Sequence, residues 1–437
     1  MPEHSASAPS RPSIAVVGAG VAGLSAAYRL RDHADITLYD KDRRAGGHAH
    51  TIEVEEAGRT HGIDTAFVVF NRPSYPQLSG FFDELDVPVQ EHRGGFQFFD
   101  RDSGLRFGTA ELAMAEDELR GRYDDGFLAV HREARRFHAE GRKDFLRKRT
   151  DLPLGEYLDR GGYSQEFRYG YVVLLCTAVW SVPAELIWEM PATTVIAFFM
   201  AHDEGGLGGN GVQWRTVRGG SVTYVRRALA AIDPKLRLGE AVTAIREDED
   251  GVTVHTAAGG ERFDHVVCAA HGDEARDLLV NPTAVQRRTL ADIRYNTSLA
   301  VLHTDTSVMP GARESWDNWN YGKITVDGRV RPYVAYYMNR LHRLEAEKDY
   351  LVTLDYAGRL REDLIIRELS YAHPVIDMKL RDLQKDIHRV NEGGRVKLCG
   401  SYFHSKQLHW DQIGSHEAAF SSGREAAEQL LRELPGR

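Results

Sequence analysis

The chain has 437 residues, which exceeds the roughly 100–200 residues of a single simple core and predicts two domains. Its 42% hydrophobic and 27% charged residues are ordinary for a globular protein, and no apolar run, 171–180 and 194–201 included, nears the ~20 residues of a membrane-spanning helix. The net charge is −9, from 55 basic and 64 acidic side chains without a basic tract, so nothing electrostatic favours nucleic acid as a partner.

Residues 1–12 are rich in Ser, Pro and Ala with no apolar segment, which predicts a disordered tail, not a secretory signal, and with it a cytoplasmic protein. Residues 13–17 predict a strand that runs into Gly18-Ala19-Gly20-Val21-Ala22-Gly23, then a helix over 24–30 and a second strand over 36–39 ending at Asp40. Further strands are predicted at 51–54 and 67–70. The charged stretch 110–149 has helical periodicity, and 153–158 and 166–175 continue as helices. A glycine-rich loop at 205–211 precedes strands at 236–245, 251–255, 265–270, 298–304, 333–338 and 396–399, and the chain closes with a helix over 417–434. Cys176, Cys268 and Cys399 are odd in number, far apart and set in apolar runs, which predicts buried free thiols in place of disulfides or zinc ligands; no histidine pair has a spacing that supports a metal.

Strand, glycine turn, helix, strand and acid within about 30 residues is the βαβ unit that binds a dinucleotide. Gly18 permits the tight turn, Gly20 the approach of a pyrophosphate, and Gly23 close helix–strand packing. The helix N-terminus then faces the phosphates, and Asp40 is placed to accept from ribose hydroxyls. Six residues after Asp40, in Asp40-Lys41-Asp42-Arg43-Arg44-Ala45-Gly46-Gly47, a glycine pair permits a second close approach.

That run resembles the extended fingerprint of the flavin amine oxidase and phytoene desaturase superfamily. Gly400, in Cys399-Gly400-Ser401, and the segment Gly414-Ser415-His416-Glu417-Ala418-Ala419 resemble its C-terminal flavin segment, and Val242 resembles the valine that meets the adenine end. Stretches such as Gly46-Gly47-His48-Ala49-His50-Thr51, Trp319-Asn320-Tyr321 and Tyr337-Met338-Asn339 are similar to a bacterial subgroup of predicted NAD/FAD-binding proteins. The resemblance implies an α/β fold: a discontinuous two-dinucleotide-binding (Rossmann-type) FAD domain at 13–75, 212–290 and 391–437, with a mixed α+β substrate domain inserted at 76–211 and 291–390. It implies non-covalent FAD held by Gly18, Gly20, Val21, Ala22, Gly23, Asp40, Lys41, Arg44, Gly46, Gly47, His48, Val242, Gly400, Ser415, His416 and Glu417, with His416 and His48 as candidate acid–base groups. His50, His303, His404 and His409 also fall near segments expected to approach the flavin.

The amine oxidases of the family often carry a lysine near the flavin, a tyrosine before the last helix and an arginine after the glycine pair. The corresponding places here are Leu299, Ser415 and His48. The expected reaction is therefore hydride transfer from a small, largely apolar, lipid-like substrate to the flavin, of desaturase or oxidase type. Double-bond isomerisation, amine oxidation and a non-catalytic flavoprotein are the alternatives. Apolar stretches at 186–188, 195–200 and 316–321 line either a tunnel or an ordinary core. The sequence leaves the oligomeric state open, a homodimer among the possibilities.

Overall fold

Ser13–Val17 is covered on both faces after its first residue, which is why it reads as an unbroken apolar run. It is the middle strand of a five-stranded parallel sheet ordered Val396–Leu398, His265–Cys268, Ser13–Val17, Asp35–Asp40, Lys235–Leu238, so both ends of the chain and its centre meet in one layer. The structure, a computed structural model, describes residues 11–92, 94–102, 104–180, 182–202, 213–404 and 412–434. The expected tail to residue 10, the glycine-rich loop at 205–211 and His409 lie outside the described residues. Arg11 and Pro12, assigned above to the tail, are tied to the fold: Arg11 donates to the Ala34 carbonyl at 2.9 Å and Pro12 accepts from Asp35 N–H at 2.9 Å.

Against this sheet the helices Val21–Leu30 and His416–Glu433 pack so tightly that a Cβ at Gly423 would lie 2.0 Å from the Ala22 carbonyl oxygen. Ser25 adds a hydrogen bond to the Phe420 carbonyl across the same seam at 2.7 Å. A three-stranded antiparallel sheet, Val242–Glu247, Val252–Thr256 and Gly259–Phe263, flanks the layer. The strand expected over 236–245 is broken at Gly239, whose φ of +73° turns the chain from one sheet into the other.

A mixed seven-stranded sheet forms the second body. Its order is Ile365–Pro374, Tyr295–His303, Leu351–Leu354, Arg329–Tyr337, Trp319–Val326, Phe96–Asp100, Arg106–Gly108. Helix Val173–Trp180, apolar all round, packs on Trp319–Val326 and Arg329–Tyr337, and Asp125–Leu146, capped by Asp124 on Phe127 N–H at 2.8 Å, packs on Ala192–His202. Ile187, Val195 and Ile196 are core residues here, and Trp316 is buried in a satellite cluster with its indole N–H on the Pro310 carbonyl.

Two expectations change. Residues 67–70 form no strand; the segment is extended, with one bridge from Phe70 to Arg215. Helix Pro76–Glu84, placed by the sequence in the substrate domain, buries Leu78, Phe81 and Phe82 in the core of the nucleotide domain, and Val89–Glu91 pairs with Arg215–Val217. Cys176, Cys268 and Cys399 are buried and free; the last two sit in different clusters. None of the described helices is long and apolar enough to cross a membrane.

Candidate cofactor and active site

The three glycines of the turn do three different things. Gly18 has φ +105° and donates to the Tyr39 carbonyl at 2.8 Å; a Cβ there would meet the Ala269 carbonyl oxygen at 2.8 Å. Gly23 lets the helix lie on the turn, since a Cβ would sit 1.9 Å from the Gly18 oxygen. At Gly20 the situation reverses: φ is an ordinary −73°, and a Cβ would find no protein atom nearer than Gly47 Cα at 3.9 Å. Gly20 keeps space open that the protein does not fill. It starts helix Val21–Leu30, whose first residues Val21 and Ala22 are buried. That start has no side-chain cap and no acid in its first turn, which leaves its N–H groups and dipole for an anion.

The second glycine pair is brought to the first. Gly46 bridges Gly20, and Gly46 and Gly47 take φ of +118° and +56°. Arg44 holds this loop by donating to the Gly47 carbonyl at 2.8 Å. Asp40 is more occupied than expected: its Oδ2 accepts from Ala19 N–H and its Oδ1 from Asp42 N–H, both at 2.8 Å, so it braces the turn and offers a ribose only its remaining lone pairs. Burial raises its pKa. Lys41 reaches Glu274 at 2.5 Å instead of pointing at the turn. Val242 opens strand Val242–Glu247 two residues after Glu240, whose N–H donates to the Asp40 carbonyl at 3.0 Å.

At the other end, Gly400 has φ +157° and donates to Ser422 Oγ at 2.9 Å. Ser415 caps the last helix through Ala418 N–H at 3.0 Å. His416 lies flat on Phe67, centroids 3.9 Å and planes 7° apart, with Nε2 2.7 Å from the Tyr224 hydroxyl, and burial drives its pKa down to about 3. The ring is neutral and locked. Glu417 turns away: its carboxylate accepts from Gln77 and Leu78 N–H, each at 3.0 Å, and so caps helix Pro76–Glu84. Burial raises that carboxyl to about 7.

His48 leads into a cluster that sequence reasoning missed. Its ring lies 5.0 Å from His373, 5.2 Å from Tyr371 and 6.1 Å from His271. Burial, then His373, His271, His416 and Arg44, hold its pKa well below the usual histidine value. His271 stacks on Tyr295 at 4.7 Å, and Tyr371 bonds Thr65 at 2.6 Å and His50 Nδ1 at 2.9 Å. His373 and Tyr371 stand on the strand opposite Asn296 and Ser298, so one face of Tyr295–His303 carries Asn296, Ser298 and Ala300 beside them. Leu299 points to the other side and is 44% exposed, and strand Tyr295–His303 carries no lysine. His303 is hydrogen-bonded to Thr353 and accepts from Asp305 N–H inside the sheet, and the ring of His404 bonds Gln384 Oε1 at 3.1 Å.

His48, Tyr75, Tyr295, Tyr336, His373 and His416 are deep enough for burial to dominate their titration, yet each keeps uncovered surface. Partly uncovered, deeply set side chains of this kind are what wall a ligand site, and such folds bind ligands at the switch point of the parallel sheet. The open position at Gly20, the uncapped helix end and the second glycine pair fit a dinucleotide.

These features define a dinucleotide-dependent redox fold, and the comparisons agree. The family described as flavin-containing amine oxidoreductase matches residues 21–431. The chain belongs to this family and is a flavin-dependent oxidoreductase. It is 24% identical over 417 residues to an L-amino-acid oxidase of Siganus canaliculatus, covering 88% of this chain and 72% of that protein. Its fold is similar to a cyclohexylamine oxidase from Brevibacterium oxydans IH-35A (TM-score 0.68, 15% identity, 98% of this chain and 100% of that one). It is also similar to a putrescine oxidase (0.66, 14%, 97% and 99%) and to a fatty acid isomerase from P. acnes that produces CLA (0.58, 15%, 98% and 99%).

Proposed function

We propose that the chain holds FAD non-covalently and removes a hydride from carbon in a small, largely apolar, lipid-like substrate, as a desaturase or oxidase does. The observation that carries this is the character of the interior walls: aromatic rings and neutral imidazoles. The buried carboxylates Asp64 and Glu417 are already tied to backbone N–H groups of Ser221 and of Gln77 and Leu78. These two carboxylates, already hydrogen-bonded, offer an ammonium substrate no uncommitted charge, whereas an apolar substrate meets aromatic rings.

Bound flavin supplies the hydride-accepting ring. Gly20, Gly46 and Gly47 leave room for the dinucleotide, and the Ser415-capped helix end offers a positive dipole to negative charge. His416 positions; with its ring stacked and Nε2 engaged, it does not exchange protons near neutral pH. His48 is held neutral by burial too, so its candidate part is as a proton acceptor and not as a donor.

The test begins with the visible spectrum of the purified protein and the flavin released on denaturation; absence of flavin removes the cofactor claim. Anaerobic mixing with unsaturated fatty acids and with primary amines then decides the substrate class. Bleaching by the fatty acids with loss of two hydrogens supports the reading. Bleaching by amines alone overturns it, and a moved double bond at constant mass replaces it with isomerisation.

A further inference from the structure

Helix Asp125–Leu146 changes character along its length. In its first half the arginines have partners: Arg132 reaches Glu116 at 3.7 Å, Arg136 reaches Glu133 at 3.6 Å, and Arg135 donates to the Met114 carbonyl at 3.3 Å. Its last turn and the turn that follows carry Arg142, Lys143, Arg147, Lys148 and Arg149. All five are exposed, and none has an ion-pair partner among the described residues. The acid within this stretch, Asp144, is half-buried and accepts from the Tyr157 hydroxyl at 3.2 Å; the next, Asp151, pairs with Arg381.

Leu146 stands among the five and is 70% exposed, more than any other large apolar side chain of the described residues. Arg142 and Lys143 precede it on the same helix face. The turn itself is firmly built. Arg149 N–H donates to the Asp144 carbonyl at 2.8 Å, Lys148 takes φ +56°, and the Thr150 and Thr193 hydroxyls meet at 2.8 Å. Behind it Phe145 packs on the core and Gly141 on Ile196.

Cations at a helix C-terminus complement its dipole, which accounts for one or two of them. Five with no free acid repel one another, and a leucine exposed among them buries nothing. The chain total of −9 conceals the cluster. An anionic surface with an apolar layer beneath it satisfies both features at once, whereas a polyanion such as nucleic acid satisfies only the charge.

We propose that residues 142–149 dock reversibly on a bilayer containing anionic lipid, with Leu146 entering the acyl boundary and the five cations meeting the headgroups. The dock needs neither the flavin nor the substrate proposed above. One leucine and a basic cluster give weak, salt-sensitive attachment, which each cation strengthens about fivefold.

The experiment uses full-length protein and sedimentation with lipid vesicles, one set of pure phosphatidylcholine and one with a third of phosphatidylglycerol. Binding is expected to the anionic set and to weaken as salt rises. Arg147→Ser, Lys148→Ser and Arg149→Ser combined are expected to weaken it by about a hundredfold, and Leu146→Ser alone by about tenfold. The four positions are exposed, so the melting temperature stays that of the unaltered protein. In Leu146→Cys carrying an environment-sensitive fluorophore, emission shifts to the blue on anionic vesicles; the three native thiols are buried and stay unlabelled. Binding to neither vesicle set, equal binding to both, or full binding by the triple variant overturns the proposal. So does a fluorophore whose emission does not move. Tighter binding to a DNA duplex than to the vesicles overturns it in favour of nucleic acid.

Discussion

Two glycine-built regions lie within a helical turn of each other and serve opposite ends. In the seam, Gly23 and Gly423 are glycine because the protein itself occupies the space: the Gly18 oxygen stands 1.9 Å from one missing Cβ and the Ala22 oxygen 2.0 Å from the other. At the mouth, Gly20 is glycine although nothing of the protein is in the way. The contrast separates packing from binding. A glycine required by the fold meets backbone when a Cβ is added, and a glycine required by a ligand meets nothing.

The contrast is broken most severely by closing the seam. Gly423→Leu drives a side chain into backbone and is expected to cost at least about 3 kcal/mol or to prevent folding; a urea midpoint within about 1 kcal/mol of the unaltered protein would show that the two helices part without loss. At the mouth the opposite is expected. Gly20→Val keeps stability within about 1 kcal/mol, since φ −73° suits any residue at a helix start, but abolishes flavin retention, read from the visible spectrum of the purified variant. A yellow Gly20→Val protein would move the cofactor elsewhere.

The seam is sharpened through Glu417, which joins the last helix to Pro76–Glu84. Its carboxyl, raised from 4.5 to about 7, binds its proton more tightly folded than unfolded. Its contribution to stability is therefore greatest below about 4.5 and falls as pH rises to about 7, by on the order of 3 kcal/mol at about 1.36 kcal/mol per pKa unit. Urea titrations of Glu417→Gln against the unaltered protein should diverge across that window; parallel curves would refute the shift. The smallest effect is expected at the rim of the mouth. Lys41 and Glu274 are half exposed, so Lys41→Ala should change stability by less than about 1 kcal/mol and leave flavin content intact, as absorbance ratios will show.

The same division explains what the sequence revealed. The mouth was legible because its parts are local: Gly18, Gly20, Gly23 and Asp40 fall within one βαβ unit, and spacing alone orders them. Even there the roles shifted. Asp40 and Glu417 were read as cofactor ligands because of where they stand in the chain, and both spend hydrogen bonds on the protein's own backbone. The histidine wall was not legible. His48 was a candidate, but His271 and His373 meet it only through the register of Ile365–Pro374 on Tyr295–His303 and the turn after His265–Cys268, and no local pattern announces that encounter. Residues 67–70 were read as a strand on apolarity; the segment leaves the sheets so that Phe67 can receive His416.

The order of the parallel sheet has a consequence for synthesis. Ser13–Val17 leaves the ribosome well before the sheet's edge strand Val396–Leu398, which pairs with His265–Cys268, and before the helix that carries Phe420 to Ser25. Through most of translation the glycine turn is made but unsealed, with an apolar helix face waiting for a partner nearly four hundred residues downstream. Contacts of such long sequence separation form slowly and leave the nascent chain exposed to association with others. The seam beside the glycine turn is thus a late product of folding, completed only when helix His416–Glu433 arrives.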